Sequence, residues 1–145
     1  MAKIKIETGI KVYDIENERG EIIGQLKFNP SDINLHFRLE KFEQKCMEIQ
    51  DYIQDALAKC ENNSDIMKAV IAQADNDFKK EIDEVFGKGS SQNIFGVQNV
   101  FNSFEGKTYM QRFLEAIIPV VRADIEEYNS YKAKKIEKYK EMIKS

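Results

Sequence analysis

The sequence predicts an α+β fold that is mainly α. An N-terminal β-hairpin leads into a long antiparallel helical hairpin, a short helix and a long kinked C-terminal helix. Three observations predict it. The first 28 residues are rich in alternating β-branched residues around an Asn/Gly turn. The stretch after Asn29-Pro30 carries apolar residues at helical spacing for about 30 residues, and a second stripe of the same kind follows a short polar break. Only two prolines interrupt the 145 residues. That length fits one domain, read as 1–145, with a hairpin at 1–28 and a helical region at 29–145.

In the hairpin, Ile4 and Ile6 alternate with lysines, and Ile10 and Val12 alternate with Lys11 and Tyr13. Glu16-Asn17-Glu18-Arg19-Gly20 reads as the turn, and Ile22, Ile23, Leu26 and Phe28 as the return strand. A lone hairpin is marginal in water, so it must pack on helices or pair along an edge.

The first helix is expected to start at Asn29-Pro30-Ser31-Asp32, with Asn29 as cap and Pro30 in the first helical position. Leu35, Leu39, Phe42, Cys46, Ile49, Ile53, Ala56 and Cys60 follow at spacings of 4, 3, 4, 3, 4, 3 and 4, an unbroken apolar stripe. Ser64 is the expected cap of the second helix, whose apolar face is Met67, Ile71, Ala74, Phe78, Ile82 and Val85, with Gly87 closing it. A short helix is expected from about Ser91 to Phe104. The last helix spans about Thr108 to Ile143, with Met110, Phe113, Leu114, Ile117, Ile118, Val121 and Ile125 facing a core and Pro119 kinking it.

Charge narrows the function classes. The net charge is −3, which argues against a general nucleic-acid binder. The basic end at 132–145 holds six lysines against two glutamates, a balance of +4, so the remainder carries −7. Such an end is an interaction tail or simply cations placed at the negative pole of a helix. No apolar run approaches the roughly 20 residues that cross a bilayer. The first residues lack the apolar centre of a signal peptide, so no membrane contact is expected.

Chemistry-bearing residues are sparse. His36 is the single histidine. Asp32, His36 and Glu40 lie four residues apart on one predicted helix face, but one face supplies too few ligands for a metal and no pocket for acid–base work. Gly87-Lys88-Gly89-Ser90-Ser91 resembles a phosphate loop only faintly, because a helix rather than a strand precedes it. Cys46 and Cys60, ~21 Å apart along one helix face, cannot bridge within it and read as buried thiols. No catalytic, cofactor or metal residue is assigned. The remaining constellation is Tyr128, Tyr131 and Tyr139 among Lys132, Lys134, Lys135, Lys138 and Lys140. Aromatics among lysines bind nucleic acid by stacking, dock on proteins, or finish a solvated helix. The acidic body weighs against nucleic acid. Two readings are left: a protein contact, for which Tyr128, Tyr131 and Tyr139 are the candidates, and a solvated helix end.

The order of elements carries a family resemblance: a hairpin leading into Phe28-Asn29-Pro30-Ser31-Asp32, a long helical hairpin, Ile94-Phe95-Gly96, Phe113-Leu114, Pro119 and a Lys-rich end with Lys138-Tyr139. It resembles the small tail-cluster proteins of long-tailed phages and prophages known as tail assembly chaperones. The resemblance implies a non-enzymatic morphogenesis factor in the host bacterial cytoplasm. Such a factor binds the tape measure protein or other tail proteins and is absent from the finished particle. A homo-oligomer is expected from the free hairpin edge. Alternatives are a structural tail or neck component of the virion and, less favoured by charge, a nucleic-acid-binding regulator.

Overall fold

A computed structural model describes residues 1–144. Strands β1 (Lys11–Glu16) and β2 (Ile22–Phe28) form an antiparallel pair with a register shift between Ile15 and Glu16. Asn17 organises the turn: its Oδ1 accepts from the N–H of Arg19 at 2.9 Å and of Glu21 at 3.0 Å. Leu26 and Phe28 are buried, with Tyr13 and Ile15 packed beside them, while Val12, Ile22 and Ile23 stay exposed. The hairpin thus occupies 11–28 rather than 1–28. Asn29 Nδ2 donates to the Thr8 carbonyl at 2.7 Å, and β2 ends at Phe28, so residues 1–10 have no strand beside them.

The helix expected at Pro30 begins later, as α1 (Leu35–Lys59). The capping side chains close turns instead. Asn29 Oδ1 accepts from the N–H and hydroxyl of Ser31, and Asp32 Oδ1 accepts from Asn34 N–H at 2.9 Å. These local bonds compete with the helical ladder and win over the first turn. Asp32 Oδ2 also accepts from Arg38 at 2.8 Å.

Helix α2 (Ser64–Phe86) is capped by Asn63, not Ser64. Asn63 Oδ1 accepts from the N–H of Asp65 and Ile66 at 3.1 and 3.2 Å, and Ser64 is already helical. Gly87 closes α2 as expected, its N–H donating to the Asp83 carbonyl. The two helices run antiparallel: Phe42, in the first half of α1, meets both Phe78 and Phe86, in the second half of α2. Their stripes form the core through Leu35, Leu39, Phe42, Cys46 and Ile49 against Ala74, Phe78, Ile82 and Val85.

The third helix is much shorter than expected, α3 (Ser90–Phe95). Gly96 stops it at φ 57, a conformation that costs glycine little. The chain is then drawn onto α2, where Asp75 Oδ1 accepts from Val100 N–H at 2.8 Å and the Lys79 ammonium donates to the Gln98 carbonyl at 2.7 Å. Val100 is buried, while Val97 is almost fully exposed. Strands β3 (Ser103–Phe104) and β4 (Lys107–Thr108) make a tight second hairpin.

Helix α4 (Tyr109–Lys144) opens with a capping box. Gln111 N–H donates to Thr108 Oγ1 at 3.2 Å, and Thr108 N–H donates to Gln111 Oε1 at 3.0 Å. Pro119 lies on its exposed side, and the helix continues through it. Phe113 closes the aromatic core edge-on to Phe78 and against Phe95, with ring centres 6.2 and 5.4 Å apart.

Candidate functional site

The first half of α4 is a core helix: Met110, Phe113, Ile118, Val121 and Ile125 are buried. Two polar tethers mark where it leaves the body. Asp124, 8% exposed, accepts the Tyr13 hydroxyl on Oδ2 at 2.5 Å, and its Oδ1 sits 3.1 Å from the Lys11 ammonium. Arg122 pairs with Glu43 of α1. The hydrogen bond to Asp124 raises the pKa of both Tyr13 and Lys11, because the carboxylate favours keeping their protons in place.

Beyond Ile125 only Tyr128 is half-buried; every other described residue to 144 is exposed. That stretch of helix projects by roughly 28 Å. Its apolar row does not stop where the body does. Val121, Ile125, Tyr128, Ile136, Tyr139 and Ile143 follow one another at spacings of 4, 3, 8, 3 and 4, with Lys132 interrupting the row midway between Tyr128 and Ile136. The face that is core before Ile125 is therefore the same face that is solvent-exposed after it. Tyr131 and Met142 widen the row on one side. Exposure is 62% at Tyr131, 67% at Tyr139 and 72% at Ile143. The lysines at 132, 134, 135, 138, 140 and 144 surround it, all exposed. Residue 145, the last of the basic end, lies outside the described residues.

Of the predicted contacts, Tyr131 and Tyr139 are fully displayed, and Tyr128 sits at the junction between body and projection. Sequence reasoning had left Ile136, Met142 and Ile143 outside the candidate set, although their spacing from Ile125 carried the signal. It also missed Asp124, an acid lying among the buried residues Val121 and Ile125.

The other constellations separate. Asp32 lies ahead of α1 and turns to Arg38, while His36 pairs with Glu40 at 3.0 Å. Among the described residues, no group of three or more His, Cys, Asp or Glu side chains is placed to hold a metal ion. In the Gly87–Ser91 loop, the N–H of Ser91 in the first turn of α3 is already bonded to Asp83 Oδ1 at 2.8 Å, so a carboxylate stands where a phosphate would have to bind. Cys46 and Cys60 are free and buried. Burial, with Glu81 and Glu43 nearby, pushes the Cys46 thiol up to about 12, far from the low pKa of a nucleophile. Among the described residues, no helix is long and apolar enough to cross a membrane. No family model, curated protein or solved structure matches this chain.

Proposed function

We propose that this chain is a non-enzymatic phage tail morphogenesis factor of the tail-assembly-chaperone kind, working in the host cytoplasm on the tape measure protein or another helical tail protein. One observation carries the reading: the apolar face of α4 continues in register past the last point of attachment to the body. A helix face bearing Tyr131, Ile136, Tyr139 and Ile143 offers anchors at the spacing that an amphipathic helical client presents in return. Fully burying each isoleucine contributes about 1.5–3 kcal/mol. The surrounding lysines favour a client with acidic residues beside its own stripe. An extended helical client kept soluble in this way needs no chemistry from its holder.

Two variants separate the partner classes in pull-downs with the tape measure protein and with DNA. Tyr131→Ala with Tyr139→Ala removes anchors, and Lys134→Ala with Lys138→Ala removes charge. Loss of the protein client mainly in the tyrosine variant is expected, since aromatic anchors dominate interfaces while rim charges count for little. Loss of salt-sensitive DNA binding in the lysine variant, with the protein client unaffected by either, overturns the proposal in favour of a nucleic-acid regulator. Mass spectrometry of purified particles distinguishes a chaperone, which is absent, from a structural virion component, which is present.

A further inference from the structure

The β1–β2 sheet has one covered edge and one open edge. On the β2 side, Asn93 Oδ1 accepts from Gln25 N–H at 2.7 Å, so α3 covers that edge; on the inner face, a Cβ on Gly24 would lie 2.7 Å from the Asn93 carbonyl oxygen, so α3 packs tightly there too. On the other side of β1 no strand is present among the described residues. Ahead of β1 in the chain is a segment that alternates like a strand but belongs to no sheet. Residues 3–7, Lys-Ile-Lys-Ile-Glu, alternate as a strand does, yet Ile4 is 92% and Ile6 78% exposed. Residues with this pattern and this exposure are an exposed-edge hazard unless something covers them.

We propose that residues 3–8 of one copy add as an antiparallel strand to β1 of a second copy, and that the exchange is reciprocal. The register follows from side-chain chemistry. On β1, Tyr13 and Ile15 face the body, while Asp14 and Glu16 face solvent. Placing Ile6 beside Tyr13 puts Ile4 beside Ile15 on the inner face. The same placement sets Lys5 beside Asp14 and Lys3 beside Glu16 on the outer face, the apolar and opposite-charge pairs that stabilise sheets. Sliding the strand by two residues one way sets Glu7 against Asp14, and sliding it the other way sets Ile6 against Lys11. The favoured register also pairs Thr8 with Lys11, so one segment pairs with its own copy about a point between Gly9 and Ile10. Such pairing is two-fold symmetric and closes at two chains instead of growing into a filament. Gly9 is the joint. It sits at φ 78 with Asn29 Oδ1 3.3 Å from where a Cβ would be, so a side chain there is strained. The bond from Asn29 to the Thr8 carbonyl holds the segment off the path back along its own β1. This inference does not depend on the client surface of α4.

The test uses the full chain, whose own Cys46 and Cys60 are buried, with one cysteine added per protein. Lys5→Cys and Asp14→Cys proteins are mixed under mild oxidation, because directly opposed strand residues come within disulfide reach. A covalent dimer containing one of each is expected, with at least tenfold less from Lys5→Cys mixed with Val12→Cys. Light scattering of the unmodified chain is expected to give twice the chain mass, and Ile4→Lys with Ile6→Lys to give the single chain mass with an unchanged helical circular dichroism spectrum. A monomeric native chain, or equal cross-linking in both mixtures, overturns the proposal. So does a double Lys5→Cys, Asp14→Cys protein that closes its disulfide only within one chain, which would place the segment on its own β1. Persistence of the dimer in the isoleucine variant also overturns it. None of these outcomes bears on binding by the tyrosines of α4.

Discussion

Tyr13 and Asp124 are 111 residues apart in the chain and joined by a 2.5 Å hydrogen bond from the phenol to the carboxylate. The bond fastens the hairpin to α4 at the point where α4 stops being core. With Lys11 on the other carboxylate oxygen, it fixes the direction in which the exposed half of the helix projects.

Tyr13→Phe removes one hydrogen bond to a charged acceptor and is expected to destabilise the fold by about 1.5–3 kcal/mol. Asp124→Ala should cost at least as much, because it strips both Tyr13 and Lys11 of their partner. Urea unfolding of the two single variants and the double checks this. If the hydroxyl and carboxylate act through each other, the double variant costs clearly less than the sum of the singles.

The same cluster predicts an alkaline limit. Tyr13 and Lys11 hold their protons more tightly in the folded chain than when unfolded. Their contribution is therefore complete below their ordinary pKa values of about 10 and is lost as pH rises through the raised folded values. Thermal unfolding followed from neutral pH upward should show this loss, and Asp124→Asn should flatten it. Tyrosinate absorption should place Tyr13 above its ordinary value, and Tyr13→Phe should remove that component of the titration.

At the acid end, Asp32 titrates below the ordinary carboxyl range, first because of Arg38 and then because of the Asn34 amide. Its contribution is present above about pH 4 and is lost as pH falls through the depressed value. Carboxyl chemical shifts followed by NMR should show this, and Arg38→Met should move the Asp32 midpoint back up.

Phe42 is fully buried at the crossing of α1 and α2, against Phe78 and Phe86. Phe42→Ala should cost about 3–5 kcal/mol, and Ile49→Ala about 2–5 kcal/mol, since both open cavities in packed surroundings. Denaturant titration measures both; an effect under about 0.5 kcal/mol at either site would mean that the stripe is a surface rather than a core.

Cys46 should resist alkylation in the folded chain, being buried with its thiol held at about 12. Labelling at neutral pH should run orders of magnitude more slowly than in urea. Rapid labelling of Cys46 under native conditions would show that α1 and α2 separate readily.

What the sequence determined by itself is the periodic part of the protein. The stripe from Leu35 to Cys60, the facing stripe of α2 and the apolar face of α4 repeat at helical spacing over many residues. A pattern sustained over several turns admits one conformation that buries it. Gly87 as a helix stop and the Asn17 turn were readable for a similarly local reason, since each depends on backbone geometry within a few residues, and the buried cysteines were readable because they lie on the α1 stripe. Competing local bonds and tertiary structure decided the rest. Asn29, Asp32 and Ser64 are chemically equal to capping, and only their neighbours determined that Asn29 closes a turn and Asn63 takes the cap of α2. The segment after Phe95 has apolar residues enough for a longer helix, but Asp75 and Lys79 of α2 bind its backbone and hold it as a loop. Most of all, one apolar row runs the length of α4; the sequence shows it thinning among charges after Asp124, but its register is the same before and after Ile125. The difference in burial arises because the hairpin and α1 end there, anchored through Asp124 and Arg122, and leave Tyr131, Ile136, Tyr139 and Ile143 with the same pattern and no body beneath them.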